Sequence, residues 1–401
     1  MIYKINIQNT IEKLILLVLV LTPIFSFQES ISLIFGGLIN NSTALTSPYI
    51  KGIKDMAFVI IILFSSLLIV RKYKINKILL ISIFLTFIFV LLPAYYYHNN
   101  IIIYLSGVRW LMPFVLAFFL IGHISEKLLF KIGIVLYYLF ILHFTLQLIQ
   151  LIFAEGWFGK NSLGLSLRNP GIFFIPSTAA IFSILVLFFS KFYMDKKRER
   201  RLFFLIPISI FFTASGTGVV TFIVFILLYY LKKKLIPLSP FVIMLLSIVL
   251  IFSLDFFTGR TGIVEESFGT RIEIFKNNLY NSSYLPTNFG YGTATGYLIE
   301  NKFGLTFNMV ATDSWFASVL VNLGLINSLI IISLLLLYFL ILIFIFKDKE
   351  KLIFLTMYTL FSLTTVITES FPANLIFAVL LAYYIKPKNC KTYEYRKNLF
   401  K

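Results

Sequence analysis

Residues Gly324–Phe346 read GLINSLIIISLLLLYFLILIFIF, without one charged side chain, and are followed at once by Lys347-Asp348-Lys349-Glu350-Lys351. As a helix this stretch is roughly 35 Å long, enough to cross the ~30 Å hydrocarbon core of a bilayer. A soluble core helix has no need of so long an uncharged run, so the reading of this stretch decides the class of the whole chain. The rest agrees with it. Of 401 residues, 59% are hydrophobic, 13% are charged and 46 are phenylalanine, and the mean hydropathy is +0.93. Ordinary soluble domains carry about 25% charged residues. A cytosolic enzyme, a nucleic-acid-binding domain and a secreted disulfide scaffold are thereby excluded.

Working outward, the apolar runs predict an all-α polytopic membrane protein, 1–401 forming a single integral membrane domain of about twelve transmembrane helices. The spans fall at 14–38, 55–70, 78–97, 101–122, 131–153, 172–193, 202–213, 217–231, 236–256, 324–346, 352–368 and 372–385. Leu14 to Phe27 is followed by no small-residue cleavage site and reads as the first span. A large loop, 257–323, separates helices nine and ten, and a second, Ala154 to Gly171, precedes the sixth span. Two basic connections, Lys196 to Arg201 and Lys232 to Lys234, flank only 30 residues. If both lie on one side, the chain between them must go in and come back as two short helices. Their polar tip would be Thr213-Ala214-Ser215-Gly216-Thr217-Gly218. The alternative is a single span with an anomalous basic flank.

The net charge of +18 is explained by position. Lys and Arg concentrate in alternate connections and at both termini, as expected of cytoplasmic segments. Nine of the 35 basic residues fall elsewhere: Lys51, Lys54, Arg109, Lys160, Arg168, Arg260, Arg271, Lys276 and Lys302. The expected location is a bacterial inner membrane, multi-pass, with both termini cytoplasmic and the loops carrying these residues outside. Membrane lipids are natural partners and nucleic acid is not. The lone Cys390 and the scattered His98, His123 and His143 form no metal or redox pattern, and no HExxH, CxxC, Walker or GxGxxG motif occurs. No metal and no cofactor is expected.

Few ionisable groups remain to carry chemistry. Arg168 stands just before Asn169-Pro170-Gly171 and a span, where a guanidinium can either clamp a phosphate or snorkel to headgroups. Ser177 is placed to cap a helix after Pro176. Thr270-Arg271-Ile272-Glu273 fits a capping box that opens a short amphipathic helix, with Ile272, Phe275 and Leu279 on one face. Arg271 then joins the free N–H groups of the first turn, a setting suited to an anion, and Glu273 has a structural use as well as acidity. Gly290-Tyr291-Gly292 predicts a tight turn. Asp313 precedes Trp315-Phe316 and a break at Gly324-Leu325, as a helix cap or as a general base. Arg109 lies inside the fourth span, facing either a polar interior or the nearby surface.

Taken together, Arg168-x-x-Gly171-x-Phe173-x-x-Pro176, the Thr213–Gly218 tip, and a long loop carrying Arg271, the Gly290-x-Gly292 turn and a polar residue before an aromatic helix resemble the O-antigen polymerase and ligase superfamily of bacterial envelope glycan assembly. The resemblance covers roughly residues 100 to 385. It implies a metal-independent glycosyltransferase whose donor is a polyprenyl-diphosphate-linked oligosaccharide. It implies further that loop arginines hold the diphosphate while a base activates an acceptor hydroxyl. On that basis Arg168 and Arg271, helped by Arg109, Arg260 and Tyr291, are the expected diphosphate and glycan contacts. Asp313 is the first-choice base and Glu273 the second. The ligase branch places an Arg beside the serine of the short tip, where this chain has Gly216, and a histidine in the large loop, where it has Asp313. These departures favour a polysaccharide polymerase, with a chain-length regulator as a conceivable partner. The alternatives are a ligase acting on lipid A core or protein, and a lipid-linked sugar flippase or transporter.

Overall fold

The computed structural model describes residues 7–26, 48–72, 90–96, 101–153, 169–173, 175–241, 273–280, 282–293 and 314–385. Among the described residues there are helices and turns and no strand. Ten helices are labelled here: α1 (Ile7–Val20), α2 (Pro48–Lys72), α3 (Ile101–Leu120), α4 (Glu126–Phe153), α5 (Pro176–Tyr193), α6 (Lys196–Thr213), α7 (Gly216–Tyr230), α8 (Trp315–Leu340), α9 (Lys349–Ser362) and α10 (Ala373–Ile385). A 3-10 turn, Thr22–Ser26, follows α1, another spans Lys233–Leu238, and a π turn, Ile341–Phe346, extends α8. Among the described residues five segments are long and apolar enough to cross a membrane: Ile7–Ser26, Ile101–Leu120, Glu126–Ile152, Pro176–Tyr193 and Trp315–Phe346. Gly216–Tyr230 and Ala373–Ile385 are shorter apolar helices. The chain is a helical protein of membrane composition.

The chain forms two compact units, and among the described residues their boundaries fall at Pro113 inside α3, between Ser215 and Gly216, and between Ser370 and Phe371. In the first unit α5 is central, with nearly every side chain from Thr178 to Ser190 buried. Ala179, Ala180 and Ser183 leave little bulk on it, so neighbouring backbones can approach closely. It packs on α4, α6 and α10. Tyr193 and Tyr384 hydroxyls meet at 3.2 Å, and Tyr383 donates to Glu126 at 2.9 Å. Helix α1 lies against α2 and α4, where Lys131 reaches Glu12 at 3.3 Å.

Local chemistry sets several helix limits. Helix α6 starts at Lys196, six residues before the expected span, because Asp195 caps it by accepting from Arg198 N at 2.9 Å. The basic residues thus occupy the first turns, where the helix dipole disfavours them. Asp195 and Glu199 offset that, Glu199 by pairing with the nearly buried Lys191 at 2.8 Å. The chain leaves α6 at Ala214 (φ 46) and re-enters a helix at Gly216, so two helices replace a single run across 196–230. Helix α5 starts with Pro176 at its first position and has no side-chain cap, so the expected Ser177 cap is not used. Proline supplies the start itself, since its missing N–H is one that the first turn leaves unpaired anyway.

In the second unit α9 packs on α7 and α8. The apolar run expected to span 352–368 ends as a helix at Ser362, and turns carry it from Leu363 to Pro372. Thr364 leaves the helix to meet Thr217 at 2.8 Å, a pairing that hydropathy does not register. Asp348 caps α9 by accepting from Lys351 N. Asp348→Ala is expected to cost about 1 kcal/mol of stability, read as a small fall in melting temperature in detergent, with Asp348→Asn close to unchanged.

Candidate functional site

Two polar clusters stand out, one in each unit. In the first, α4 presents His143, Gln147 and Gln150 along one face, at spacings of four and three, and all three are buried. They clasp the segment Asn169-Pro170-Gly171. Gln150 forms a two-way amide pair, its Nε2 donating to Gly171 O at 2.9 Å and its Oε1 accepting from Gly171 N at 2.7 Å. Gln147 Nε2 donates to Asn169 O at 2.9 Å and to Ser209 O at 3.2 Å, while its Oε1 accepts from Ser209 Oγ at 2.7 Å. Ser209 Oγ also lies 3.0 Å from Ser183 Oγ, and Asn169 N donates to Phe212 O at 2.8 Å.

His143 closes the clasp. Its Nδ1 accepts from Ile172 N at 3.4 Å, which assigns the proton to Nε2. The ring sits among Phe140, Phe173 and Phe182, with centroids 5.4 to 6.1 Å away. Gly171 has φ +62, and a Cβ there would stand 2.2 Å from His143 Nδ1. The clasp therefore requires glycine twice, for the backbone angle and for the space. Six residues from α4, α5 and α6 thus fix three residues of chain, in apolar surroundings where unpaired polar groups are costly. Arg168 is the preceding residue in sequence and lies outside the described residues.

In the second unit, the turn Asn288–Thr293 is held between α3 and α8. Asn322 Oδ1 accepts from both Gly290 N (2.8 Å) and Gly292 N (3.1 Å). Its Nδ2 donates to Ser318 Oγ at 3.2 Å, and Ser318 Oγ donates to Gly292 O at 2.5 Å. On the other side, Ser106 Oγ stands 3.1 Å from both Gly290 O and Thr293 Oγ1. The Phe289 ring lies over Gly107, where any side chain would collide with it. One residue past Arg109, Trp110 stacks on Trp315, with centroids 6.5 Å apart. Ser314 Oγ donates to Ser362 O at 3.1 Å, tying the start of α8 to the end of α9.

These contacts place the expected residues as follows. Arg109 and Tyr291 are both half-buried and belong to the α3–turn–α8 junction. Glu273 is exposed on the short helix over 273–280, and among the described residues it has no ion-pair or hydrogen-bond partner. The helix buries Asn278, whereas Phe275 and Leu279 remain exposed. Asp313, Arg271 and Arg260 lie outside the described residues, and α8 begins two residues after Asp313. The break expected at Gly324 is present, with φ 72 and ψ 171 inside α8. Among the described residues no group of three His, Cys, Asp or Glu side chains could hold a metal ion.

Sequence reading missed the residues that build both clusters. Gln147, Gln150, Ser209 and Asn322 sit singly in apolar runs, and His143 was one of three scattered histidines. The available signal was periodic: His143, Gln147 and Gln150 are the polar residues of one face of an otherwise apolar helix. No family model matches the chain, and no curated protein and no solved structure matches it.

Proposed function

We propose that this chain is a polysaccharide polymerase of the membrane, transferring a glycan from its polyprenyl diphosphate to a hydroxyl of another lipid-linked repeat unit. The observation that carries the reading is the α3–turn–α8 junction. Paired backbone amides on Asn322 and the Ser106 contacts gather Arg109, Tyr291 and the start of α8, next in sequence to Asp313, from three distant parts of the chain. In a protein with so few ionisable residues, that is where an anionic donor and a proton acceptor are best accommodated.

In the proposed reaction the acceptor hydroxyl oxygen attacks the anomeric carbon and its proton passes to the Asp313 carboxylate. The bond from that carbon to the diphosphate oxygen breaks, and the anomeric configuration inverts. Arginine side chains, Arg168, Arg271, Arg109 and Arg260, neutralise the departing diphosphate, which serves in place of a metal ion.

The test is elongation by the purified protein in detergent, given a polyprenyl-diphosphate-linked repeat unit and no gradient. A ladder of lipid-linked products is expected. Transfer to a lipid A core or a protein in place of a ladder would assign the ligase activity, and movement of the repeat across a bilayer without elongation would assign a transporter. Asp313→Asn keeps a capping oxygen and removes the base, so the ladder should vanish while the amount of folded protein is unchanged. Full activity of that variant would reduce Asp313 to a helix cap.

A further inference from the structure

The same parallel pair of helices that builds the Gln147 clasp leaves a groove at its other end. Gly133 packs against Met194 just ahead of α6, and Tyr137 meets Arg198 and Gln147 meets Ser209, so α4 and α6 run side by side in the same direction. Ten to eleven residues before the clasp, roughly 16 Å along the helices, a groove of about 550 Å³ opens between them, lined by Tyr137, Tyr138, Asp195, Lys197, Arg198 and Arg201. Three cations face one anion there.

The groove has a fixed part and an unsatisfied part. Arg198 is held in place, its guanidinium paired with Asp195 and lying 5.8 Å from the Tyr137 ring centre. Lys197 and Arg201, one helical turn apart, are exposed and have no ion-pair partner among the described residues. The groove therefore carries net positive charge and suits a ligand of negative charge.

Position identifies the ligand further. On α6 there is no charged residue from Leu202 to Thr213, and on α4 none from Ile132 to Phe153. The groove thus lies at the edge of the uncharged part of α6, beside the uncharged part of α4, whose own charged stretch, Glu126 to Lys131, lies further out. That edge is the headgroup level of a bilayer, where tyrosine rings also collect. Running from Arg201 into the slab, Phe204, Ile208 and Phe211 follow at spacings of three, four and three, and all are exposed. A cationic groove continuous with an exposed apolar stripe matches a phosphate joined to acyl chains.

We propose that this groove is a binding site for the headgroup of an anionic phospholipid, with its acyl chains laid along the Phe204–Ile208–Phe211 stripe. Basic pockets between membrane helices are suited to such headgroups. The site is separate from the two clusters described above and stands whether or not the polymerase reading does.

The test is native mass spectrometry of the purified full chain titrated with phosphatidylglycerol, phosphatidylcholine or glycerol 3-phosphate. Phosphatidylglycerol is expected to bind at least tenfold more tightly than either of the others. The Lys197→Gln/Arg201→Gln double variant should weaken it by roughly 30-fold. The Lys196→Gln/Arg200→Gln variant removes the same charge from the same segment but outside the groove, and should leave it unchanged. Equal loss in both double variants would reduce the effect to general surface charge and overturn the site. Glycerol 3-phosphate binding as tightly as the lipid would assign the groove to a free phosphate compound and overturn the lipid.

Discussion

Gly290→Ala should leave little folded protein. Gly290 has φ +93, and a Cβ added there would stand 2.0 Å from the backbone oxygen of Ile103. Backbone cannot rotate away as a side chain can, so the turn itself must move. Moving it breaks the hydrogen bonds from Gly290 N and Gly292 N to Asn322 and the contact with Ser106. The left-handed angle adds about 1 to 2 kcal/mol for a residue with a side chain, and each lost hydrogen bond about 1 kcal/mol. A destabilisation of about 4 kcal/mol follows. It would be read as a large drop in the melting temperature in detergent and, under the proposed polymerase function, as loss of the lipid-linked ladder. Gly52→Ala is the matched control, because nothing lies within 4 Å of its added Cβ. A Gly290→Ala protein as stable as the wild type would mean that the turn is not held between α3 and α8.

That turn also shows what the sequence could and could not convey. Gly290-Tyr291-Gly292 was legible as a tight turn, and Gly324 as a break, because glycine's local signal is strong. The division of 196–230 into two helices is what the sequence predicts if both basic connections lie on one side, with a single span as the alternative. What the turn packs against was not legible. Ser106 and Asn322 are separated from it by 184 and 32 residues, and neither has an unusual neighbour in sequence. Each is a polar residue whose partner is a backbone group, and backbone groups carry no sequence signature.

Helix limits were misjudged for a related reason. The 352–368 run carries no charge, so hydropathy extends it past Ser362, but Thr217 offers Thr364 a partner that a continued helix would forgo. The basic start of α6 reads as a connection because lysine and arginine concentrate in cytoplasmic loops, whereas Asp195 caps a helix that already includes them. Among the candidate site residues, Arg109 and Tyr291 fall at one junction. Glu273 is exposed and, among the described residues, has no partner. The histidine reading looked for metal spacing, whereas His143 works as one rung of a hydrogen-bonded face.

Gln150→Leu should sever the clasp at its strongest point. Leucine is similar in volume to glutamine, so packing changes little, and the effect isolates the hydrogen bonds. Gly171 would lose the partner of its N–H and one partner of its C=O, both buried. Leaving a buried group unsatisfied costs about 1 to 3 kcal/mol, so about 2 to 5 kcal/mol is at stake for the pair. The clasped segment follows Arg168 directly, and a polymerase that holds its donor with Arg168 should lose donor affinity when the segment is released. The expected result is a raised KM for the lipid-linked donor together with a lower melting temperature. Gln147→Leu should act in the same direction, because it strips Asn169 O and both Ser209 groups at once. The two double-mutant partners lie one turn apart on one segment, so their combined cost should fall short of the sum of the single costs. A Gln150→Leu protein that loses stability but keeps its donor KM would confine the clasp to folding and detach Arg168 from the donor.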